Sequence, residues 1–153
     1  MDAMIDASTL RLVRIFDAPR ERVFDAWADE TQFIQWMCPP GVMLEEARLD
    51  VRRGGAWHVR GHHADRTFAT SGRYLEVKPP ERLVFTWAHH AGGDLEAPRG
   101  HETTVHLEFR SIGKKTELTL IHGSFADAPS RQGHNDGWSG SFDKLETFLR
   151  RTA

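Results

Sequence analysis

The 153-residue sequence lacks the features that would tie it to several classes of protein. It contains one cysteine, Cys38, so no internal disulfide can form, which is typical of a reducing compartment. No run approaches the roughly 18 apolar residues that a membrane span requires. The net charge is only −2, so there is no basic field to hold a nucleic acid backbone. The single cysteine, the lack of a long apolar run and the small net charge favour a cytoplasmic protein with neither a nucleic acid partner nor a membrane span.

The rest of the composition indicates one globular domain. Apolar residues make up 39% and charged residues 27% of the chain, and no repeat or linker divides it. The first six residues hold two acids and no basic segment, unlike a secretory signal. We expect residues 1–8 to be a loose leader and residues 9–153 to form a single domain.

Hydrophobic periodicity predicts a strand, two short helices, six further strands and a long final helix. The strands are predicted over residues 9–16, 43–50, 55–61, 67–77, 82–88, 103–110 and 115–123, and the final helix over about 134–151. The first short helix follows Pro19, and the second begins at Asp29 with Gln32 as a capping-box variant. The turns between the six strands are short, which implies an antiparallel meander.

Strand parity predicts which side of this sheet is covered. In the strand 82–88, Leu83, Phe85 and Trp87 share one side. In most of the other predicted strands, too, the charged residues are confined to the opposite side. The final helix carries an apolar stripe with Trp138 and Phe142 four residues apart. The predicted fold class is therefore α+β, with a curved antiparallel sheet around a long C-terminal helix in the order β-αα-β6-α.

Two polar side chains, Glu45 and His122, share the inward parity. Burying a carboxylate costs several kcal/mol unless it is paired or neutralised, so Glu45 needs an explanation. It either lies in water near the strand end beside an arginine, or it forms with His122 the polar anchors of a cavity. Both interpretations stay open at the level of sequence.

Several segments in fixed order resemble the START-like (Bet v 1-like, SRPBCC) superfamily, in the branch named for the C-terminal domain of the activator of Hsp90 ATPase. The matching segments are Arg14-Ile15-Phe16-Asp17-Ala18-Pro19, Val23-Phe24-Asp25-Ala26-Trp27, Trp36 before Pro39, Asp50-Val51-Arg52-Arg53-Gly54-Gly55, Gly72-Arg73-Tyr74-Leu75-Glu76, Pro80-Glu81-Arg82-Leu83-Val84-Phe85-Thr86-Trp87, Thr116-Glu117-Leu118-Thr119-Leu120-Ile121-His122 and Gly137-Trp138. The resemblance implies the helix-grip fold, with a cavity between the sheet and the C-terminal helix. It supplies no fixed catalytic set, and the co-chaperone activity in the family's name does not carry over with it.

The leading hypothesis is that a small hydrophobic or amphipathic molecule binds in this cavity. Aromatic residues of the inward parity and the two polar groups are the candidate ligand-binding residues: Trp36, Glu45, Trp57, Phe68, Tyr74, Phe85, Trp87, His122, Trp138 and Phe142. Trp36 is expected at the pocket mouth. No catalytic residue, metal site or cofactor is predicted, because the pairs His62-His63 and His89-His90 fall in expected loops without ligand spacing.

Two alternatives belong to other classes of function. The first is a cyclase- or isomerase-type enzyme that uses the same cavity, with His122 moving a proton near neutral pH. The second is a chaperone accessory that binds a partner protein through an apolar surface. A homodimer is compatible with the sequence, although no heptad pattern supports one.

Overall fold

The predicted alternation of apolar and charged residues corresponds to one curved antiparallel sheet. The structure, a computed structural model, describes residues 3–6 and 8–151, with side chains from residue 8 onward. Within those residues the elements are β1 (Ala3–Asp6), β2 (Thr9–Phe16), α1 (Arg20–Ala28), α2 (Glu30–Trp36), β3 (Val42–Leu49), β4 (Ala56–His63), β5 (Arg66–Lys78), β6 (Arg82–His89), a 3₁₀ turn (Ala91–Gly93), β7 (Thr103–Ile112), β8 (Lys115–Gly123) and α3 (Ala128–Arg151). The strand order is β1-β2-β8-β7-β6-β5-β4-β3. The meander from β3 to β8 therefore lies in sequence order, and β2 pairs with its last strand.

The expected leader contains a strand. Ala3–Asp6 forms β1, which pairs antiparallel with β2 and places Met4 opposite Leu10. Four residues give too short an alternation to predict a strand, so these residues are expected in the leader. Residues 1, 2 and 7 of that leader, and residues 152 and 153 of the domain, lie outside the described residues.

The covered side of the sheet carries the core. Phe142 of α3 packs edge-on against Phe16 of β2, with ring centroids 5.6 Å apart, and against Trp27 of α1 at 6.3 Å. Leu145 and Leu149, further along the same face of α3, are buried as well. The structure confirms the α+β helix-grip fold, and ring packing of this kind contributes beyond the apolar area that it removes from water.

The final helix starts six residues earlier than the sequence predicts. Asp127 caps it, because its Oδ1 accepts a hydrogen bond of 2.8 Å from the backbone N–H of Ser130. Gly133 and Gly137 interrupt the apolar stripe in the first half of α3, which conceals its true beginning. This early half extends the helix over one end of the sheet and provides one wall of the cavity described below.

A bulge in β3 makes the inward parity predicted for Glu45 wrong and agrees with the first of its two interpretations, a side chain in water beside an arginine. The pairing of β3 with β4 shifts between Leu44 and Glu46. Before the shift Leu44 faces inward, and after it Ala47 does, so the inward-facing positions change from even to odd residue numbers. Glu45 consequently lies in solvent, where its carboxylate pairs with His62 at 2.6 Å and with Arg60 at 3.4 Å. One extra residue in a strand is enough to move a side chain to the opposite face.

Candidate ligand-binding cavity

A cavity of about 390 Å³ separates the first half of α3 from the sheet. This volume lies within the range of roughly 300–1,000 Å³ that is usual for small-molecule pockets. The sheet contributes Val42, Val59, Phe68, Thr70, Trp87 and His89, and the helix contributes Pro129, Ser130, Gly133, His134, Gly137, Trp138 and Ser141. Most of this lining is apolar, and its few polar groups come from both walls: Thr70 and His89 from the sheet, and Ser130, His134 and Ser141 from the helix.

Glycines in α3 leave the space open. A Cβ placed on Gly133 or on Gly137 would meet no atom within 4 Å, and both glycines line the cavity. They lie four residues apart, so they occupy the same face of the helix. Glycine in a helix interior costs about 1 kcal/mol relative to alanine. The chain thus carries two unfavourable residues where a side chain would reduce the cavity.

The loop between α2 and β3 forms another wall through Met37, Cys38 and Pro39. Gly140 allows this close approach, because a Cβ on it would lie 2.9 Å from Cβ of Pro39. Burial raises the pKa of the Cys38 thiol to about 12, so the thiol stays protonated and unreactive near neutral pH. Cys38 therefore contributes shape to the wall and no nucleophile.

Two histidines meet across the cavity, one from the sheet and one from the helix. Nε2 of His89 lies 2.9 Å from Nε2 of His134. Nδ1–H of His134 donates to the carbonyl of Ser130 at 2.8 Å, which leaves its Nε2 to accept from His89. Nδ1 of His89 then accepts from the hydroxyl of Thr70 at 2.9 Å. The hydrogen bonds assign one neutral tautomer to each ring and join α3 to β6.

His122 lies behind the cavity wall and is fully buried. Its Nδ1 accepts from the indole N–H of Trp138 at 3.0 Å. Its Nε2–H donates to the hydroxyl of Thr103 at 2.6 Å, and that hydroxyl donates to the carbonyl of Trp87 at 3.1 Å. Both ring nitrogens are therefore engaged within the protein, and His122 holds two cavity-lining tryptophans in place.

Burial determines the protonation of this group of histidines. It lowers the pKa of His122 well below the ordinary 6.5, and the neighbouring His134 and His89 lower it further. The pKa of His89 falls to about 4, first through burial of the ring among its neighbours and then through His134 and His90, although the residue as a whole is exposed. The pKa of His134 is also lowered by burial. All three rings are neutral at pH 7.

The comparisons with known proteins agree with this architecture. The family model described as "Activator of Hsp90 ATPase homolog 1-like protein" matches residues 17–150. The chain belongs to this AHSA1-like family. The suspected resemblance to the START-like superfamily is thereby confirmed, and no curated protein matches the sequence.

Solved structures show the same fold across the whole chain. The crystal structure of an AHSA1 protein from Silicibacter pomeroyi is 30% identical, with a TM-score of 0.85, and the match covers 95% of this chain and all of that one. A protein from Chromobacterium violaceum is 26% identical with a TM-score of 0.83, over 93% of this chain and 96% of the other. One from Rhodobacter sphaeroides shares 19% identity and the fold, with a TM-score of 0.84 over 100% and 99% of the two chains.

In this AHSA1-like protein only part of the predicted site lines the cavity. Phe68, Trp87 and Trp138 do so. A second group surrounds a separate void of about 10 Å³, room for roughly one water molecule: Trp57, Tyr74 and Phe85. These three rings fill the core and leave no space for a ligand.

The remaining predicted residues lie away from the open space. Trp36 is fully buried instead of standing at the mouth, and its indole N–H donates to the carbonyl of Ala26 at 2.9 Å. Phe142 is fully buried in the ring cluster, His122 lies behind the wall, and Glu45 faces solvent. Trp36, Phe142, His122 and Glu45 therefore do not contribute to the cavity surface in this structure.

Sequence reasoning missed His89 and His134, although a signal for each was present. His89 follows Trp87 by two residues and so shares its inward parity, and His134 precedes Trp138 by one helical turn. The adjacent histidines expected in loops lie instead at strand ends, His62 and His63 in β4 and His89 in β6. Over the described residues, no group of three or more His, Cys, Asp or Glu side chains is arranged to hold a metal ion. The same residues include no helix long and apolar enough to cross a bilayer.

Proposed function

We propose that this AHSA1-like protein binds a small hydrophobic or amphipathic molecule in the cavity between the sheet and α3. The observation that carries the proposal is the open space in front of Gly133 and Gly137, in a core whose other aromatic residues are packed against each other. Apolar walls with few polar groups are typical of small-molecule pockets. Phe68, Trp87 and Trp138 supply the aromatic surface for such a ligand.

The experiment uses neutral apolar probes, decanol and naphthalene, with native mass spectrometry and thermal unfolding as readouts. Saturating probe should raise the melting temperature, because a ligand that binds only the folded state stabilises it. Gly137→Leu should abolish this shift, since the leucine side chain occupies the cavity. The variant itself should melt no lower than the wild type, because leucine is a better helix former than glycine.

Asn135→Ala is the matched control. It also improves helix propensity in α3, but Asn135 does not line the cavity. It should keep the probe-induced shift of the wild type. A wild-type protein that neither binds nor is stabilised by either probe would contradict the proposal, as would Gly137→Leu binding both probes as well as the wild type does.

The structure gives weaker support to the two alternatives. As a proton-transferring group, His122 would need a free ring nitrogen toward the ligand, and both of its nitrogens are hydrogen-bonded inside the wall. For partner binding, the exposed large apolar side chains among residues 8–151 lie on four different strands: Ile15, Met43, Leu75 and Ile112. Small-molecule binding is the function that the geometry supports best.

A further inference from the structure

A second space, a groove of different chemical character, adjoins the cavity. This groove has a volume of about 620 Å³ and shares Phe68 and His89 with the cavity. It lies between the ends of β4 and β5, where His63 pairs with Arg66, and the 3₁₀ turn. The hydroxyl of Thr67 donates to the carbonyl of Gly92 at 3.2 Å and fastens the turn to the strand. The cavity and the groove therefore adjoin at Phe68 and His89.

The polar groups inside the cavity are largely satisfied by the protein itself. All four ring nitrogens of His89 and His134 are hydrogen-bonded. The two Nε2 atoms bond to each other, Nδ1 of His89 bonds to Thr70, and Nδ1 of His134 bonds to the carbonyl of Ser130. Two exceptions line the cavity: the hydroxyl of Ser141, a residue that is 2% exposed, and the buried indole N–H of Trp87. Neither has a hydrogen-bond partner among residues 8–151. A charged group inside the cavity would have no counter-charge.

The groove offers a positive charge that no carboxylate neutralises. Arg66 lines it and forms no ion pair with any residue from 8 to 151, whereas Arg60 on the neighbouring strand pairs with Glu45 and Glu46. No acidic side chain belongs to the groove lining within the described part of the chain, and Asp65 lies exposed in the adjoining turn. The field in the groove therefore favours an anion.

The histidines of the groove differ in what they leave free. Nδ1–H of His90 donates to the carbonyl of Ala97 at 2.9 Å, and its Nε2 accepts from the hydroxyl of Ser71 at 2.7 Å. His63 is exposed and makes no hydrogen bond to the described residues. Arg66 and His63, opposite each other in the β4–β5 pair, are thus the donors available to a ligand.

We propose that the ligand is an anionic amphiphile, with its apolar part in the cavity and its anionic group in the groove at Arg66 and His63. This inference rests on the proposed function, because it presupposes that the cavity takes an apolar chain or ring. It adds the chemical class of the ligand and its orientation, with the anionic group toward the groove. An acid of the carboxylate type is recognised well by an arginine, whose guanidinium presents paired N–H donors.

The experiment compares decanoate with decanol, which share a chain length and differ in charge, by calorimetric titration of the wild type and of Arg66→Gln. The wild type should bind decanoate about fivefold more tightly than decanol, in line with a solvent-exposed ion pair. Arg66→Gln should remove this preference and leave decanol binding unchanged. Added salt should weaken the binding of decanoate only, because it screens the exposed charge.

Arg53→Gln serves as the matched control. Arg53 is also exposed and without an ion pair among the described residues, but it lies in the turn between β3 and β4, away from the groove. It should keep the preference for decanoate. Equal affinity for the two probes, unchanged in Arg66→Gln, would overturn the anionic class and leave cavity binding intact. Binding of neither probe by the wild type would overturn the proposed function itself.

Discussion

Trp87 and Trp138 show how one hydrogen bond separates two otherwise similar residues. Both line the cavity, both are nearly buried, and their rings lie 5.2 Å apart. The indole N–H of Trp138 donates to His122, whereas the indole N–H of Trp87 is buried without a partner among the described residues. Replacing each by phenylalanine therefore removes a similar volume and a different amount of hydrogen bonding.

We predict that Trp138→Phe lowers the free energy of unfolding by about 1–3 kcal/mol more than Trp87→Phe does. The first variant leaves Nδ1 of His122 buried without a donor, and the second removes a donor that was already unsatisfied. Urea unfolding at pH 7 measures both values. An equal loss in the two variants would mean that the bond between Trp138 and His122 contributes nothing net to the fold.

At the scale of the element, α3 combines two functions along one helix. Its second half holds the helix to the sheet through Phe142, Leu145 and Leu149, all buried. Its first half carries Gly133 and Gly137 over open space and contacts β6 through His134. The first half therefore contributes less apolar burial, and its helical geometry depends more on the Asp127 cap and on the histidine pair.

We predict that Gly133→Ala raises the free energy of unfolding by about 0.5–1 kcal/mol, because alanine favours the helix and its methyl group meets no atom within 4 Å. Gly140→Ala, on the same helix, should lower it, because the new Cβ would lie 2.9 Å from Pro39 and 3.0 Å from Pro40. Thermal and urea unfolding compare the two. Stabilisation by both substitutions would show that the loop at Pro39 and Pro40 can shift to make room for the new methyl group at little cost.

Some elements of the fold follow from the sequence more directly than others. The seven strands from β2 to β8 follow from alternation, since an apolar residue in the wrong parity would face water. The bulge at Glu45 cannot be read from composition, because an extra residue leaves the pattern on either side intact and only shifts its phase. The cavity cannot be predicted from the sequence either. Inward parity places rings such as Trp57 and Phe85 on the same side of the sheet, but it does not show whether they pack against each other or leave a space between them.

At the scale of the whole molecule, folding suppresses the protonation of several histidines. The pKa is lowered for His106 as well as for the three rings around the cavity, in each case chiefly by burial. In the unfolded chain these rings have the ordinary pKa of about 6.5. As the pH falls below that value, the unfolded state binds protons that the folded state does not, so the free energy of unfolding decreases.

We predict that this loss of stability begins near pH 6.5 and continues to about pH 4, the pKa of His89. Each histidine contributes at most about 1.36 kcal/mol per pH unit within that window. The carboxylates whose pKa is lowered lose their contribution below their ordinary values, which are 4.5 for Glu45 and Glu46 and 3.8 for Asp29 and Asp127. The interval between pH 6.5 and about pH 4.5 therefore reports on the histidines. Urea unfolding at several pH values in this interval measures the slope.

His134→Gln tests whether the rings around the cavity cause the slope. Glutamine retains an oxygen that can accept from His89, and it removes one titrating group, so the decrease in stability between pH 6.5 and 4.5 should be shallower than in the wild type. NMR titration of the remaining histidines follows their protonation directly. A wild-type protein equally stable at both ends of this interval would show that the cluster is protonated as easily in the folded chain as in the unfolded one, and that the cavity wall is wetter than its packing implies.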